Sequence, residues 1–326
     1  MTGTTRVPPA EITGLQTPAA CAARDPVGRR RSLAGMSEDP FVTHRGLLFT
    51  VAYEMLGSAA DAEDVLQESW LRWAGVDQSQ VLEPRAYLVR IVTRQSLNHL
   101  RTVSRRREDY VGEWLPEPLL TSPDVAEDVE LAESVSMAML TVLETLGPTE
   151  RAVFVLREVF DVPFDEIAEA VDKTPAAVRQ IAHRSRAHVA ARHPRIRVDH
   201  SEHAEVVDRL ITALNTGDVQ GLMDVLAPDV VAVADGGGQV RGAARRPIVG
   251  AERLVAYLMG GMAKFKVQLV GTPTWVNGAP AARIEVDGAL AAVVSLTVEN
   301  GRITRIYSIA NPDKLERLDA EAVLAR

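Results

Sequence analysis

Hydrophobic residues change their spacing along this chain near residue 228. Before that point, apolar side chains recur every three or four positions, which is the period of amphipathic helices. Beyond it, short runs rich in Val, Ile and Thr predominate, as they do in half-buried strands. The pattern therefore predicts all-α domains followed by an α+β domain.

The first two predicted helices meet at a glycine. An apolar face that begins at Phe41 stops at Gly57, and Ser58 stands where a helix cap is expected. The helix DAEDVLQESWLRW follows from Asp61, with its acidic residues near the positive end of the helix dipole. Its predicted packing residues are Val65, Leu66, Trp70, Leu71 and Trp73. Its polar face, which solvation alone would also explain, carries Asp61, Glu63, Asp64, Gln67 and Glu68.

A long basic helix is predicted from Pro84, after a loop at residues 75–83. Seven arginines and no acid lie between Arg85 and Arg107. Tyr87 and amide side chains interleave with these charges, and that mixture suits the phosphates and unpaired bases of single-stranded DNA. The candidate DNA contacts are Arg90, Arg94, Gln95, Asn98 and Arg101.

A helix-turn-helix is predicted for residues 163–191. Its first helix has an apolar face from Phe164 to Val171, and Thr174 with Pro175 supplies a start signal for the second. Residues 173–197 hold seven Lys or Arg and no acid, in a chain whose net charge is -8, which indicates a polyanionic partner. The outward face predicted to read duplex DNA carries Ala176, Arg179, Gln180, His183 and Arg184.

The segment between the two basic regions reverses the charge. From Glu108 to Ser134 there are nine acidic residues and no Lys or Arg. Prolines in the motif WLPEP (residues 114–118) and at Pro123 favour an extended linker. Its negative charge would let it occupy a basic channel meant for nucleic acid.

The C-terminal third combines helices and strands. Helices are predicted at residues 202–214, 218–226 and 251–262. Strands of an antiparallel sheet are predicted at 229–234, 264–271, 281–286, 289–298 and 302–309. Asn277-Gly278 and Asn300-Gly301 are hairpin signals. Helices on such a sheet form an α+β cone that can enclose a pocket.

Composition bounds the remaining possibilities. At 326 residues the chain has room for two or three domains. Residues 1–37 lack periodicity and are predicted to be a disordered extension, with Met36 as an alternative start. No apolar run is long enough for a membrane span, no secretory signal is present, and the single cysteine, Cys21, excludes a disulfide framework. We expect a cytoplasmic protein without a metal site or cofactor.

Three stretches, in this order, resemble bacterial sigma factors. DAEDVLQESWLRW resembles their polymerase-docking helix, EPRAYLVRIVTRQSLNHLR their promoter-melting helix, and residues 146–189 their region 4. Having only these two sigma domains, the chain resembles extracytoplasmic-function (ECF) sigma factors.

The resemblance implies that the polar face of this helix docks on core RNA polymerase through Asp61, Asp64, Gln67 and Glu68. It also implies that loop 75–83 holds a flipped base of the minus-10 element, that the basic helix lines the melted strand, and that the helix-turn-helix reads the minus-35 element. Asn98 departs from the aspartate of many members, which leaves the base preference at that position open.

After residue 200 the order of elements resembles SnoaL-like domains, relatives of ketosteroid isomerase. WLPEP, DGGGQ (residues 235–239) and NPDKL (residues 311–315) together resemble the ECF group that carries this extension (group 41, sigma-J type), although Gln239 replaces that group's usual lysine. The resemblance implies an attached regulator that contacts the sigma domains. The implied regulatory interface comprises Trp114, Leu115, Pro116, Asp235, Gly236, Gly237, Gly238, Asn311, Pro312 and Asp313.

The predicted architecture is an extension (1–37), sigma region 2 (38–108), a linker (109–134), sigma region 4 (135–197) and a SnoaL-like domain (200–326). Our leading hypothesis is a non-enzymatic sigma factor that binds core RNA polymerase and promoter DNA. A one-component regulator that senses a ligand is the alternative, and an enzyme that uses Asp235 as a general base is a third. Any ligand of the SnoaL-like pocket is left open.

Overall fold

The structure, a computed structural model, describes residues 39–108, 110–192 and 200–326. The predicted extension at residues 1–37 and the basic residues 193–197 lie outside the described part of the chain.

The first helical domain consists of α1 (Pro40–Thr43), α2 (Arg45–Leu56), α3 (Ala59–Ala74) and α4 (Pro84–Glu108). Helix α2 ends where Gly57 adopts a left-handed conformation (φ +68°), which glycine takes without steric cost. Ser58 then caps α3, because its hydroxyl accepts a hydrogen bond from the Asp61 amide at 3.2 Å. The predicted helix end and cap are confirmed.

Two of the predicted packing residues of α3 are exposed instead. Trp70 is 44% exposed and Leu71 is 60% exposed, whereas Val65, Leu66 and Trp73 are buried. The buried positions follow one helical stripe that ends at Trp73, and the two exposed residues lie outside it. The prediction that Trp70 and Leu71 pack inward is therefore wrong.

The second helical domain consists of α5 (Val129–Val135), α6 (Met137–Leu143), α7 (Pro148–Phe154), α8 (Phe164–Val171) and α9 (Pro175–Arg192). Helix α5 lies inside the segment predicted to be an extended linker. The Asp128 carboxylate caps it by accepting from the Leu131 amide at 3.1 Å, and Leu131 is buried. One apolar cluster, from Phe41 to Val189, runs through both helical domains.

Helices α8 and α9 form the predicted helix-turn-helix. Asp172 ends α8 in a left-handed conformation (φ +55°), and the Lys173 amide donates to the Ala168 carbonyl at 3.0 Å. Thr174 caps α9 through its hydroxyl, which accepts from the Ala177 amide at 3.2 Å. The two-helix pattern and its cap are confirmed.

The C-terminal domain places α10 (His200–Thr216), α11 (Val219–Val225) and α12 (Ala251–Phe265) against a six-stranded sheet, and α13 (Pro312–Leu315) follows the last strand. The strands are β1 (Leu226–Asp235), β2 (Ile248–Val249), β3 (Leu269–Val276), β4 (Ala279–Val286), β5 (Ala289–Glu299) and β6 (Arg302–Ile309). Their spatial order is β2-β1-β6-β5-β4-β3. This is the α+β cone that the sequence predicts.

Two strand predictions need correction. The strand predicted at 264–271 begins at Leu269, because α12 continues to Phe265 and Lys266 then ends it in a left-handed conformation (φ +54°). Strands β1 and β6 are parallel, whereas a fully antiparallel sheet was predicted. Helix α12 carries the chain across the sheet between β2 and β3, and strand composition does not specify the direction of a distant partner.

Asn277-Gly278 and Asn300-Gly301 form the predicted two-residue hairpins, with both residues of each turn at positive φ. Asp287-Gly288 forms a third hairpin of the same kind, which the sequence interpretation missed.

The sheet has two apolar faces because successive residues of a strand point to opposite sides. Ala292 and Ile306 pack toward the helices of the C-terminal domain, whereas their neighbours Val293 and Tyr307 belong to a cluster with Leu115 of the linker. The linker therefore covers the face of the sheet that the helices of the C-terminal domain leave open. Within the described ranges, no helix combines the length and apolar character needed to span a membrane.

Candidate functional site

The outward face of α9 is accessible. All five residues predicted to read duplex DNA are exposed: Ala176, Arg179, Gln180, His183 and Arg184. The Arg179 guanidinium lies 5.6 Å from the centre of the Phe164 ring, and Arg184 lies 3.9 Å from Glu150. These contacts are long and solvated, so both guanidinium groups can turn toward phosphates or base edges.

The basic face of α4 is partly covered by the second helical domain. Glu169 of α8 accepts hydrogen bonds from Arg90, through its carboxylate at 2.6 Å, and from Arg94, through its carbonyl at 2.7 Å. Asn98 and Arg101 are exposed. Part of the surface predicted to bind single-stranded DNA is thus engaged by an acidic residue of the second helical domain.

Gln95 departs from the prediction that it contacts DNA. It is only 7% exposed and hydrogen-bonds the Glu68 carboxylate of α3. Its position on α4 turns it toward the neighbouring helix, where its amide meets the exposed Glu68 carboxylate. Gln95 therefore connects α4 to α3 and lies behind the surface predicted to bind single-stranded DNA.

The predicted docking face of α3 is largely exposed. Asp64, Gln67, Glu68 and Leu71 follow helical spacing along one stripe, and all four are accessible. The Arg72 guanidinium, which donates to Glu68 at 2.9 Å, lowers the pKa of that carboxyl. The stripe thus offers carboxylates beside an exposed apolar side chain.

Asp61, at the N-terminal end of that face, is half-buried and lies 3.0 Å from His99 of α4. Asp61 thus combines a place on the predicted docking face with a contact to another helix of its own domain.

Asp235, at the end of β1, is the centre of a buried contact between the C-terminal domain and the linker. It is 0% exposed. One carboxylate oxygen accepts from the Tyr110 hydroxyl at 2.5 Å and from the Gly237 amide at 3.0 Å. The other accepts from the Leu115 amide at 2.9 Å and from the Lys314 ammonium at 2.7 Å. We call Tyr110, Leu115, Asp235, Asn311 and Lys314 the Asp235 cluster.

The three sequence motifs meet at this cluster. Lys314 of NPDKL donates to the Leu115 carbonyl and lies 4.1 Å from the centre of the Trp114 ring, both in WLPEP. Asn311 donates from its side chain to the Tyr110 hydroxyl at 2.9 Å. Burial raises the pKa of Tyr110, which keeps its hydroxyl a donor toward Asp235.

The glycines of DGGGQ permit this close packing. Gly237 has φ +60°, and a Cβ there would lie 2.6 Å from the Asn311 side chain, so only glycine fits. Pro116 is buried, and Gln239 donates to Asp313 at 2.8 Å. Gln239, which stands where the resembling group has lysine, thus still makes a polar contact between DGGGQ and NPDKL.

Glu117, also in WLPEP, connects the linker to the docking helix. Its carboxylate accepts from the amides of Ala59 at 2.8 Å and Ala60 at 3.2 Å, at the N-terminus of α3. Burial raises the pKa of Glu117 despite these hydrogen bonds. The acidic linker therefore caps α3 through Glu117. Its occupation of a basic channel meant for nucleic acid stays a prediction.

The β3–β4 hairpin makes a second buried contact, which joins the C-terminal domain to the two helical domains. Asn277 is 1% exposed, and its side-chain amide donates to the Tyr53 hydroxyl at 2.7 Å and to the Val135 carbonyl at 2.8 Å. Its side-chain oxygen accepts from the Leu119 amide at 3.0 Å. One side chain thus joins α2, α5 and the linker; we call Tyr53, Leu119, Val135 and Asn277 the Asn277 junction.

The C-terminal tail returns to the first helical domain. The Ala325 amide donates to the Thr50 hydroxyl at 3.1 Å, and Ala322 and Leu324 pack on the helical core. Arg326 pairs with Asp128, the N-cap residue of α5, at 3.0 Å and also with Glu130 in the first turn of α5. The tail therefore bridges the two helical domains.

Glu54 of α2 is buried in the same region. Its carboxyl accepts from the Ser134 hydroxyl at 2.7 Å, its backbone carbonyl accepts from Arg151 at 2.8 Å, and burial raises the pKa of this carboxyl to about 8. Folded protein thus keeps the proton that an unfolded chain releases near pH 4.5.

A Glu54→Gln variant is expected to gain stability over wild type as pH rises from 5 to 8. In that window folded wild type binds one proton more than unfolded wild type, so its free energy of unfolding falls by about 1 kcal/mol per pH unit. Glutamine has no proton to lose. Urea unfolding at several pH values measures the difference, and Glu205→Gln on the exposed face of α10 is the control. A difference in free energy of unfolding between Glu54→Gln and wild type that does not change with pH would contradict the raised pKa of Glu54.

Together, a four-helix bundle with an acidic docking stripe and a helix-turn-helix with a basic outer face define a two-domain sigma factor. Residues 41–106 match the family model of sigma-70 region 2, and residues 136–189 match that of sigma-70 region 4. The ECF RNA polymerase sigma factor SigJ of Mycobacterium tuberculosis is 38% identical over 292 residues, which cover 86% of this chain and 93% of that protein. The chain belongs to the ECF RNA polymerase sigma factors.

Two further comparisons agree with that family. The probable ECF RNA polymerase sigma factor SigI of Mycobacterium tuberculosis is 33% identical over 281 residues, covering 85% of this chain and 94% of that protein. The crystal structure of Mycobacterium tuberculosis SigJ matches with a TM-score of 0.68 and 36% identity, covering 86% of this chain and 98% of that one. The similarity therefore includes the C-terminal SnoaL-like domain.

The residues of these contacts that sequence reasoning missed include Tyr110, Glu117, Asn277 and Lys314. Glu117 and Lys314 belong to WLPEP and NPDKL, so membership of a motif was an available signal. Tyr110 and Asn277 meet partners more than 120 residues away in the sequence, and no local pattern identifies such contacts.

Proposed function

We propose that this sigma factor rests in a closed state in which the SnoaL-like domain holds the two sigma domains together. On opening, the α3 stripe docks on core RNA polymerase, α4 binds the melted minus-10 strand and α9 reads the minus-35 duplex. The protein acts in the cytoplasm, where core polymerase and promoter DNA are its partners. The buried contact between Asp235 and the linker carries this proposal.

The distance between the promoter elements supports a closed resting state. The minus-10 and minus-35 elements lie about 25 base pairs apart, roughly 85 Å at 3.4 Å per base pair. In the structure α4 and α8 touch through Arg90 and Glu169. Fully extended, residues 109–128 span at most about 70 Å. That length, together with the widths of the two domains, is enough to reach both promoter elements. Reading both elements therefore requires the sigma domains to separate.

We also propose that the SnoaL-like domain does not catalyse a reaction. The candidate general base, Asp235, directs both oxygens at the Asp235 cluster and does not line the cavity of the domain. A carboxylate that holds four donors has no free lone pair aimed at a substrate. The exposed α3 stripe favours the sigma hypothesis over a one-component regulator, which has no use for a polymerase-docking helix.

Run-off transcription with purified core RNA polymerase tests the proposal. Promoters upstream of the gene and its neighbours should be initiated specifically only when this protein is added. A chain that ends before Asn311 loses Lys314 and the tail, so it should transcribe more than full-length protein at equal folded concentration. A chain cut at Asp199 loses every contact of the SnoaL-like domain and reports what that domain adds to polymerase binding. Equal activity of all three would contradict built-in regulation.

Charge reversal on the α3 stripe is expected to weaken binding to core polymerase. Asp64→Lys with Glu68→Lys removes two exposed carboxylates, and at about 0.5–1 kcal/mol per surface pair the loss is roughly tenfold in affinity. Glu205→Lys with Asp208→Lys, on the exposed face of α10, makes the same change in net charge elsewhere. Pull-down of core polymerase by both double variants checks this; undiminished capture by the α3 variant would favour the one-component alternative.

Arg179→Ala and Arg184→Ala are expected to weaken binding to the minus-35 duplex. Loss of a side chain that reads a base should cost about 1–3 kcal/mol of binding free energy. Loss of one that contacts only phosphate should cost less and should reduce the salt dependence of DNA binding. Binding of the chain to promoter duplexes, measured over a range of salt, distinguishes the two, with the exposed Arg209→Ala of α10 as control. Unchanged binding by both variants would remove α9 from the site.

A further inference from the structure

The SnoaL-like domain encloses a cavity of about 540 Å³ between α10, α12 and the sheet. That volume lies within the range of about 300–1,000 Å³ that is typical of small-molecule sites. Its walls are almost entirely apolar and include Leu254, Ala292 and Ile306. Because the cavity is open at its mouth, its apolar lining meets water when no ligand is bound, and an apolar occupant would remove that contact.

The mouth of the cavity has a different character. The charged residues among its described lining, Arg241 and Lys264, are both cationic, and no carboxylate lines it. Two aromatic residues beside them, Tyr257 and Phe265, are 39% and 44% exposed. An apolar interior with a cationic rim is complementary to a molecule that has an apolar body and an anionic end.

A loop at residues 236–247 closes one side of the mouth. The Tyr257 hydroxyl of α12 donates to the Gly242 carbonyl, and a Cβ at Gly242 would lie 2.8 Å from the Phe265 ring. The loop therefore rests directly on the end of α12. Its first residues are the glycines of DGGGQ, which follow Asp235.

We propose that this cavity is a binding site for an amphipathic organic anion, with an apolar chain or ring system inside and a carboxylate at Arg241 and Lys264. The 236–247 loop closes over the bound molecule.

The site lies one residue layer away from the contacts with the linker. On β6, Ile306 and Ser308 face the cavity, whereas Tyr307 and Ile309 face the cluster that contains Leu115. A molecule bound in the cavity therefore changes the packing of the same strands that hold the linker. This coupling between the cavity and the linker rests on the proposed function, whereas the binding site does not.

Binding of anilinonaphthalene sulfonate to the full-length chain, followed by fluorescence, tests the site. The probe has an aromatic body and an anionic group, and decanoate should displace it. Decanol, which has the same chain without the charge, should displace it about tenfold less effectively if the cations contribute a charge-assisted contact. Arg241→Gln with Lys264→Gln should reduce decanoate to the level of decanol.

Gly261→Leu supplies the occlusion variant. Gly261 lines the cavity, and no heavy atom lies within 4 Å of a Cβ built there, so the first atom of a side chain has room at this position and leucine favours the helix. Its matched control is Gly261→Ala, which also favours the helix but adds one methyl. Saturable binding that weakens at least tenfold in Gly261→Leu and not in Gly261→Ala supports the site. No saturable binding to wild type, or equal affinity of wild type and Gly261→Leu, overturns it.

Transcription is measured separately with and without decanoate. The response of transcription to decanoate tests the coupling between the cavity and the linker, whereas the displacement experiment tests the binding site. Failure of the proposed regulation and failure of the binding site are therefore distinguishable.

Discussion

An Asn277→Gly variant is expected to destabilise the closed arrangement by about 2–6 kcal/mol. Removing the side chain leaves the Leu119 amide and the Val135 carbonyl without their partner, and each buried unsatisfied polar group costs about 1–3 kcal/mol. Both Leu119 and Val135 are buried. The backbone itself is unaffected, because Asn277 has φ +55° and glycine adopts that conformation freely.

Asn300→Gly is the matched control for this variant. Asn300 occupies the same position of an equivalent hairpin (φ +53°), but its side chain is exposed. Both substitutions add the same freedom to the unfolded chain, so the difference between them isolates the Asn277 junction. Urea unfolding gives the free energies, and hydrogen exchange at the Leu119 amide reports the local effect. Equal stability of the two variants, with unchanged exchange at Leu119, would mean that the junction does not hold the domains.

An Asp235→Asn variant is expected to release the linker and raise transcription. The carboxylate accepts two hydrogen bonds on each oxygen, whereas an asparagine must point its amide group at one of the two pairs of donors. Lys314, whose side chain is only 11% exposed, also loses its counter-ion. Breaking a buried ion pair from one side costs about 3–5 kcal/mol.

The effect of Asp235→Asn is measured by hydrogen exchange at residues 110–116 and by run-off transcription. Asp229→Ala, an exposed acid on the same strand, is the control for a general loss of charge. Adding Lys314→Met removes the cation that faces residue 235 and should recover part of the lost stability, which gives a double-mutant cycle for the pair. Full protection of residues 110–116 in the single variant, together with unaltered transcription, would exclude Asp235 from the closing contact.

Tethering explains why such contacts act together. The SnoaL-like domain and the linker belong to one chain, so their effective concentration is in the millimolar range and little intrinsic affinity is needed for closure. Under the proposed function, loss of a few kcal/mol at the Asp235 cluster or the Asn277 junction then shifts a balance that core polymerase also influences, since reading both promoter elements requires separated sigma domains. We expect the two variants to be more active than wild type at limiting polymerase.

The helical domains could be predicted from local sequence because their signals are local. The Ser58 cap, the Gly57 end of α2 and the Thr174 cap act within one helical turn, and the outer face of α9 follows directly from the period of its apolar residues. The same reasoning failed at Trp70 and Leu71, because periodicity marks apolar positions without showing which of them a neighbouring helix covers.

The sequence by itself therefore determined the helix-turn-helix, the basic and acidic segments, the hairpins at Asn277 and Asn300, and the family. Only the tertiary structure decided which surfaces meet. Asp235 faces the linker and not the cavity, Glu169 lies on the arginines of α4, and Asn277 reaches Tyr53 across 224 residues. These contacts between distant segments depend on which face of the sheet is covered by the helices of the C-terminal domain and which by the linker. No periodicity within a segment specifies which face the linker covers, because that depends on packing between domains.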